Sequence, residues 1–260
     1  MCTMASVESL AATFDRPDGT VQVVSENGLP AVRLTSPSSA ASALVYLHGA
    51  HVASWTDAAG TQLLYMSPTA VYNGKKALRG GVPLCWPQFG PGALPQHGFA
   101  RTSAWTLVAT AAEESAVGGA RTATFCLGSS PATRDAGYPA DWVLTYTVSL
   151  EPTAGTLSLR LAVAVAAGSP PAPLTAALHT YFAVDSAADC AVQGLSGLTY
   201  RNTAEGGREE VEAGETVTVG SAEVDRVYLD VPSSLTLSRG GTPGGPLERG
   251  RVGLGFLSVG

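Results

Sequence analysis

The chain has 260 residues, of which 45% are hydrophobic and 14% charged, and its formal net charge is −6. That composition supplies one sizeable core and excludes wholesale disorder, while the mild acidity argues against nucleic-acid binding, whose affinity comes largely from neutralised phosphates. The longest uninterrupted apolar stretch, residues 161–167, falls far short of the roughly 20 residues that cross a bilayer, so no membrane association is expected.

The first segment, residues 1–19, has neither a basic start nor a continuous apolar run, which argues against a secretory signal. We expect it to be only partly ordered. Helix signals are scarce, because no window pairs apolar spacing at i, i+3, i+4 and i+7 with end caps. Short β-branched or alternating runs recur instead, at residues 21–24, 31–35, 43–47, 52–55, 105–109, 123–127, 142–150 and 156–165. The expected fold class is therefore all-β. In 142–150, Trp142, Leu144, Tyr146, Val148 and Leu150 share one face, and Leu157, Leu159, Leu161, Val163 and Val165 repeat the pattern after a turn at 152–155. Those two runs predict a long antiparallel hairpin.

Between residues 65 and 101 the periodicity disappears, and glycine and proline punctuate aromatic and basic residues. Loops longer than about 12 to 15 residues in a compact domain are usually functional or disordered, and Trp86, Phe89 and Phe99 favour an ordered one. No acidic residue occurs between Asp57 and Glu113, whereas Lys75, Lys76, Arg79 and Arg101 all fall in that interval. This points either to a chance gap or to a pocket that binds an anion. The stretch from 239 to 250, rich in glycine and proline without aromatics, reads as a poorly ordered tail.

The chemistry-bearing motifs are few. Gly74-Lys75-Lys76 lacks the remaining positions of a phosphate-binding P-loop, and no G-x-S-x-G elbow is present. His48 and His51 form H-x-x-H without a third ligand at metal spacing, so a structural role is expected and no metal. Cys2, Cys85, Cys126 and Cys190 form no C-x-x-C pair, which suits reduced thiols and a cytoplasmic protein. Arg79-Gly80-Gly81 reads equally as a surface turn or as an arginine fork beside a backbone that a ligand can approach. Gln96, His97 and Arg101 form a donor-rich cluster at the end of the acid-free interval. His179, within an apolar stretch, is open to two readings: a core histidine with satisfied nitrogens, or an acid–base group.

The blocks RGGVPLCWPQFG (79–90), QHGFAR (96–101), ALHTYF (177–182) and EVDRVYLDVP (223–232), with LHGAHVASW from Leu47, resemble the hexose-6-phosphate mutarotases. These are the glucose-6-phosphate 1-epimerase branch of the aldose 1-epimerase superfamily. The resemblance spans residues 20–237. It implies a large antiparallel β-sandwich of the galactose mutarotase type over 20–237, with 238–260 as an atypical tail. By the same resemblance Arg79, Gln96, Arg101 and Asp225 look like substrate-binding positions and His179 like the catalytic histidine, with His97 sharing the pocket. The implied reaction interconverts the α and β anomers of a hexose 6-phosphate without cofactor; a monomer is expected. Ring opening needs a proton delivered to the ring oxygen while a base takes the anomeric proton. The family's general-base glutamate has no matching context here, since the one carboxylate after residue 237 is Glu248. The final strands are expected to be missing, and a sugar-phosphate-binding protein impaired in catalysis is the alternative function.

Overall fold

A computed structural model describes residues 5–112, 119–219 and 223–238, and the backbone of 249–252. The chain divides into two compact units, residues 1–182 and 183–260.

The first unit opens on a helix, α1 (Val7–Phe14), where no helix is expected from the sequence. Its apolar stripe is nevertheless written there: Val7, Leu10, Ala11 and Phe14 follow the i, i+3, i+4, i+7 spacing and all pack on the main core. Ser6 caps it, its hydroxyl accepting from the Ser9 amide at 3.2 Å. The carboxylate of Asp15 at its end accepts from the Val23 amide at 2.6 Å, which ties the helix to the first strand.

Strands β1 (Val21–Glu26), β2 (Leu29–Thr35), β3 (Ser42–Tyr46) and β4 (His51–Thr56) form an antiparallel meander in chain order. The two-residue pair β5 (Leu84–Cys85) follows, within the long loop. A second meander joins β6 (Thr106–Ala112), β7 (Arg121–Gly128), β8 (Trp142–Leu150) and β9 (Leu157–Val165). The expected hairpin is present, its register running from Trp142 opposite Val165 to Leu150 opposite Leu157. Along β8 the five residues read as inward are all buried. On β9, which among the described residues is the last strand of this sheet, Leu157, Leu159, Leu161 and Val163 are only half-buried and Val165 is exposed, so the expected inward face is less covered there than on β8. Val21, Val32, Leu34 and Val45 from the first meander share one core with Leu107, Phe125, Leu144, Tyr146 and Val148 from the second. The two sheets therefore pack face to face, as a β-sandwich does.

The first unit ends with β10 (Ala177–Leu178). The second contains β11 (Ala191–Gln193), β12 (Thr199–Asn202), β13 (Arg208–Val211), β14 (Thr216–Thr218), β15 (Arg226–Tyr228), β16 (Leu235–Ser238) and β17 (Arg249–Val252). They form two small antiparallel sheets, ordered β14-β11-β16-β17 and β13-β12-β15. On the latter, Arg226 pairs with Glu212 at 2.6 Å and lies over the Tyr200 ring at 4.5 Å. Of the tail expected over 238–260, Ser238 and Arg249–Val252 fall among the described residues, and Arg249–Val252 pairs with β16. Glu248 lies outside them.

Candidate active site

The aperiodic loop is held by backbone bonds that join distant segments. The Gly81 amide donates to the Tyr65 carbonyl at 2.7 Å, and Val82 donates to Val52 of β4 at 2.9 Å. Strand β5 pairs with β10, placing Cys85 opposite Ala177, and the pairing extends outward through His179 to Pro83 at 3.0 Å, Tyr181 to Gly81 at 2.8 Å and Thr175 to Pro87 at 2.8 Å. The amides of Phe99 and Ala100 both donate to the Trp86 carbonyl, at 3.1 and 3.2 Å. The Gly49 amide donates to Ser103 at 2.7 Å. The blocks around residues 47–55, 79–90, 96–101 and 177–182 are thereby stitched into one patch of the first unit.

Gly80 and Gly81 have a structural purpose in that stitching. Both have positive φ, at 106° and 60°; a Cβ on Gly80 would strike the backbone of Tyr65 and Met66, and one on Gly81 would lie 2.7 Å from His51 Nε2 and collide with the Val52 carbonyl. The close approach read into these glycines is thus made by the protein's own chain. The histidines of H-x-x-H are likewise built into the frame. His48 Nε2 bonds the Lys76 carbonyl at 2.8 Å, and His51 is 1% exposed. Among the described residues no three His, Cys, Asp or Glu side chains gather as a metal site.

Burial, reinforced by the neighbouring His48, holds His51 well below the ordinary histidine value of 6.5, at about 3, against a smaller opposing bond from the Gly80 backbone. A depressed folded-state value stabilises the fold fully above the unfolded value and loses that stabilisation as pH falls toward about 3. Because the unfolded imidazole is already half protonated at pH 6.5 and the slope approaches 1.36 kcal/mol per pH unit only below that, the His51 contribution to unfolding free energy falls by about 1.6 kcal/mol between pH 6.5 and 5. Urea unfolding across that range should show the slope in the wild type and a shallower one in His51→Gln.

On this frame stand four rings. His97 and His179 lie 5.7 Å apart, nearly perpendicular, with Phe89 at 5.3 Å from His97 and 6.1 Å from His179. Tyr181 stacks on His179 at 5.0 Å and 30°. His179 is half-buried, and among the described residues its imidazole makes no hydrogen bond, unlike a core histidine with satisfied nitrogens. His97 is held below the usual histidine range by burial first, then by the positive charge of Arg101 and by His179. Burial pushes the Cys85 thiol up, with Arg101 pulling it part of the way back.

Arg101 is half-buried; one terminal nitrogen donates to the Gln96 carbonyl at 2.8 Å, while its buried Nε has no partner among the described residues. Neither Arg101 nor Arg79 is in an ion pair there, so both retain guanidinium donors for an anion. Arg79 is exposed and joins the patch through its backbone, its carbonyl accepting from Ser67 at 3.0 Å. Gln96 is exposed as well. Asp225 belongs to the second unit, exposed just before β15, with its carbonyl accepting from the amide and hydroxyl of Thr203, both at 2.9 Å. The structure adds Phe89 and Tyr181 as ring neighbours that sequence reasoning left without a role. Phe89 is 44% exposed and its amide is fixed by Thr175 Oγ1 at 2.8 Å. An apolar ring in an acid-free, proline-rich loop was its only signal.

The aldose 1-epimerase family model matches residues 30–239. A Cenchrus ciliaris protein named "Putative glucose-6-phosphate 1-epimerase" is 35% identical over 196 residues, covering 74% of this chain and 59% of its own length. An Escherichia coli (strain K12) protein of the same name is 36% identical over 195 residues, with 71% and 58% covered. The chain thus spans somewhat under three fifths of the length of these curated relatives. Among solved structures, the "putative mutarotase (YeaD)" of Salmonella typhimurium superposes with a TM-score of 0.74 at 29% identity, over 87% of this chain and 72% of that one. Galactose 1-epimerase from Lactobacillus acidophilus NCFM shares the fold, with a TM-score of 0.60 at 15% identity over 84% and 76% of the two chains.

Proposed function

The chain belongs to the aldose 1-epimerase family, and from that premise we propose that it interconverts the α and β anomers of hexose 6-phosphates such as glucose 6-phosphate. The observation that carries this reading is His179: a half-buried imidazole without a hydrogen-bond partner among the described residues, 5.7 Å from His97 and beside an interval without carboxylates. In the proposed reaction His179 gives a proton to the ring oxygen while a base accepts the proton of the anomeric hydroxyl. The bond from C1 to the ring oxygen breaks as the C1 carbonyl forms. Rotation about the C1–C2 bond and reclosure, with both protons returned, give the other anomer.

Arg79 and Arg101 are the proposed phosphate contacts, with Gln96 and His97 contributing sugar contacts. The phosphate takes no part in bond making, so its binding energy is available for holding the sugar in position. That the half-buried Arg101 is in no ion pair among the described residues supports the assignment, because a guanidinium without a counter-charge gains charge-assisted hydrogen bonds from a phosphate. Arg101→Ala should weaken glucose 6-phosphate binding by about 1.5 to 3 kcal/mol, the range for a hydrogen bond to a charged group, and leave the weak binding of free glucose nearly unchanged. Calorimetric titration of both sugars decides it. Equal affinity of the wild type for the two would remove the phosphate assignment.

A further inference from the structure

We propose that Gln88 is a positioning residue that acts through Gly90 to hold His97 in one tautomer, with its proton on Nε2. The clamp stands on geometry alone; its use in catalysis rests on the functional reading above, which makes His97 a sugar contact.

The Gln88 carboxamide makes three bonds. Its Nε2 donates to the carbonyls of Gly90 at 3.0 Å and Leu94 at 3.1 Å, and its Oε1 accepts from the Leu94 amide at 3.0 Å. Two donors and an acceptor in one plane are what a primary amide supplies and a carboxylate does not. These bonds fold residues 88–94 over the side chain and fix where Gly90 stands. Gly90 then meets His97 twice: the His97 amide donates to the Gly90 carbonyl at 3.1 Å, and the Gly90 amide donates to His97 Nδ1 at 3.2 Å. A ring nitrogen that accepts an N–H bears no proton, so the neutral imidazole carries its proton on Nε2.

Two further observations fit the clamp. His97 has φ of 65°, a left-handed conformation that side-chain-bearing residues seldom adopt and that the paired bonds to Gly90 sustain. The charged and titratable groups acting on the ring are Arg101 and His179, and together with burial both disfavour its protonation. Protonated Nδ1 would set two N–H groups against each other and undo the bond from Gly90. At neutral pH the ring therefore faces ligand as an Nε2–H donor, complementary to a sugar oxygen and not to a donor group. Gln88→Glu sets carboxylate oxygens against the Gly90 and Leu94 carbonyls, and Gln88→Leu removes all three bonds.

The test is long-range proton–nitrogen NMR of the full chain with 15N-labelled histidine and backbone, in the wild type and both Gln88 variants, with His97→Asn identifying the signal. The wild type should show the Nε2–H pattern for His97, and the Gly90 amide resonance should move with the ring's titration. In the Gln88 variants the Nδ1–H form should rise several-fold and the titration midpoint should shift. The Nδ1–H pattern in the wild type, a Gly90 amide indifferent to the ring's titration, or an unchanged tautomer ratio in a folded Gln88→Glu protein would each overturn the clamp. If neither variant folds, the two wild-type signals decide. Parallel calorimetry separates the underlying reading: a wild type that binds no glucose 6-phosphate removes the sugar-phosphate function, while the tautomer signals still decide the clamp.

Discussion

His179→Asn is expected to lower the rate of anomer exchange by a factor of about 10² or more, the usual scale of a general acid–base contribution. Asparagine keeps a polar group of similar reach and gives up the proton that a protonated imidazole can transfer. The ring sits at the chain's half-buried surface, stacked on Tyr181 and free of hydrogen bonds among the described residues, so its removal breaks no buried network. Affinity for glucose 6-phosphate should therefore stay close to that of the wild type, which is the pattern of an interaction made in the transition state. Exchange spectroscopy on the two anomeric proton signals reads the rate, and calorimetry reads the affinity. An unchanged rate in a folded variant would return His179 to a packing role.

Trp86→Ala should cost about 3 to 5 kcal/mol of stability, as large aromatic truncations in cores do. Trp86 is 0% exposed and meets the rings of Trp142 at 4.3 Å, Tyr138 at 5.1 Å and Phe99 at 5.7 Å. Its carbonyl also anchors Phe99 and Ala100, which lead into Arg101, and a Cβ on Gly98 would collide with that same carbonyl. The substitution thus removes the packing on which the patch carrying Arg101, His97 and His179 rests. A midpoint lower by about 6 to 20 °C follows for a domain of this size. Trp86→Phe should lose less, because it also removes a buried indole N–H with no partner among the described residues. Urea unfolding of the three proteins checks the order; a loss under about 1 kcal/mol in Trp86→Ala would contradict it.

The regular strands were legible because their signal is local. Alternation along 142–150 states which residues face inward, and the structure buries those five. Helix α1 was missed although its stripe is complete, since eight residues with one alanine in the stripe and serines around it give weak contrast between the faces. The site was legible by type and order of residues but not by contact. Nothing in the spacing of Trp86 and Phe99, or of Pro83 and His179, says that one donates to the other, because the pairings span aperiodic chain. The glycines of the Arg79 block showed a need for close approach without showing what approaches. Gln88 was silent because glutamine in a proline-rich loop ordinarily faces solvent, and its three bonds depend on where residues 90 and 94 return.

The most direct measurement is anomer exchange itself: selective inversion of one anomeric proton of glucose 6-phosphate, with and without the 260-residue chain, and the same experiment on free glucose. The account predicts exchange well above the spontaneous rate for the phosphorylated sugar, with free glucose accelerated far less at equal concentration. A glucose 6-phosphate exchange rate equal to that in buffer would contradict it.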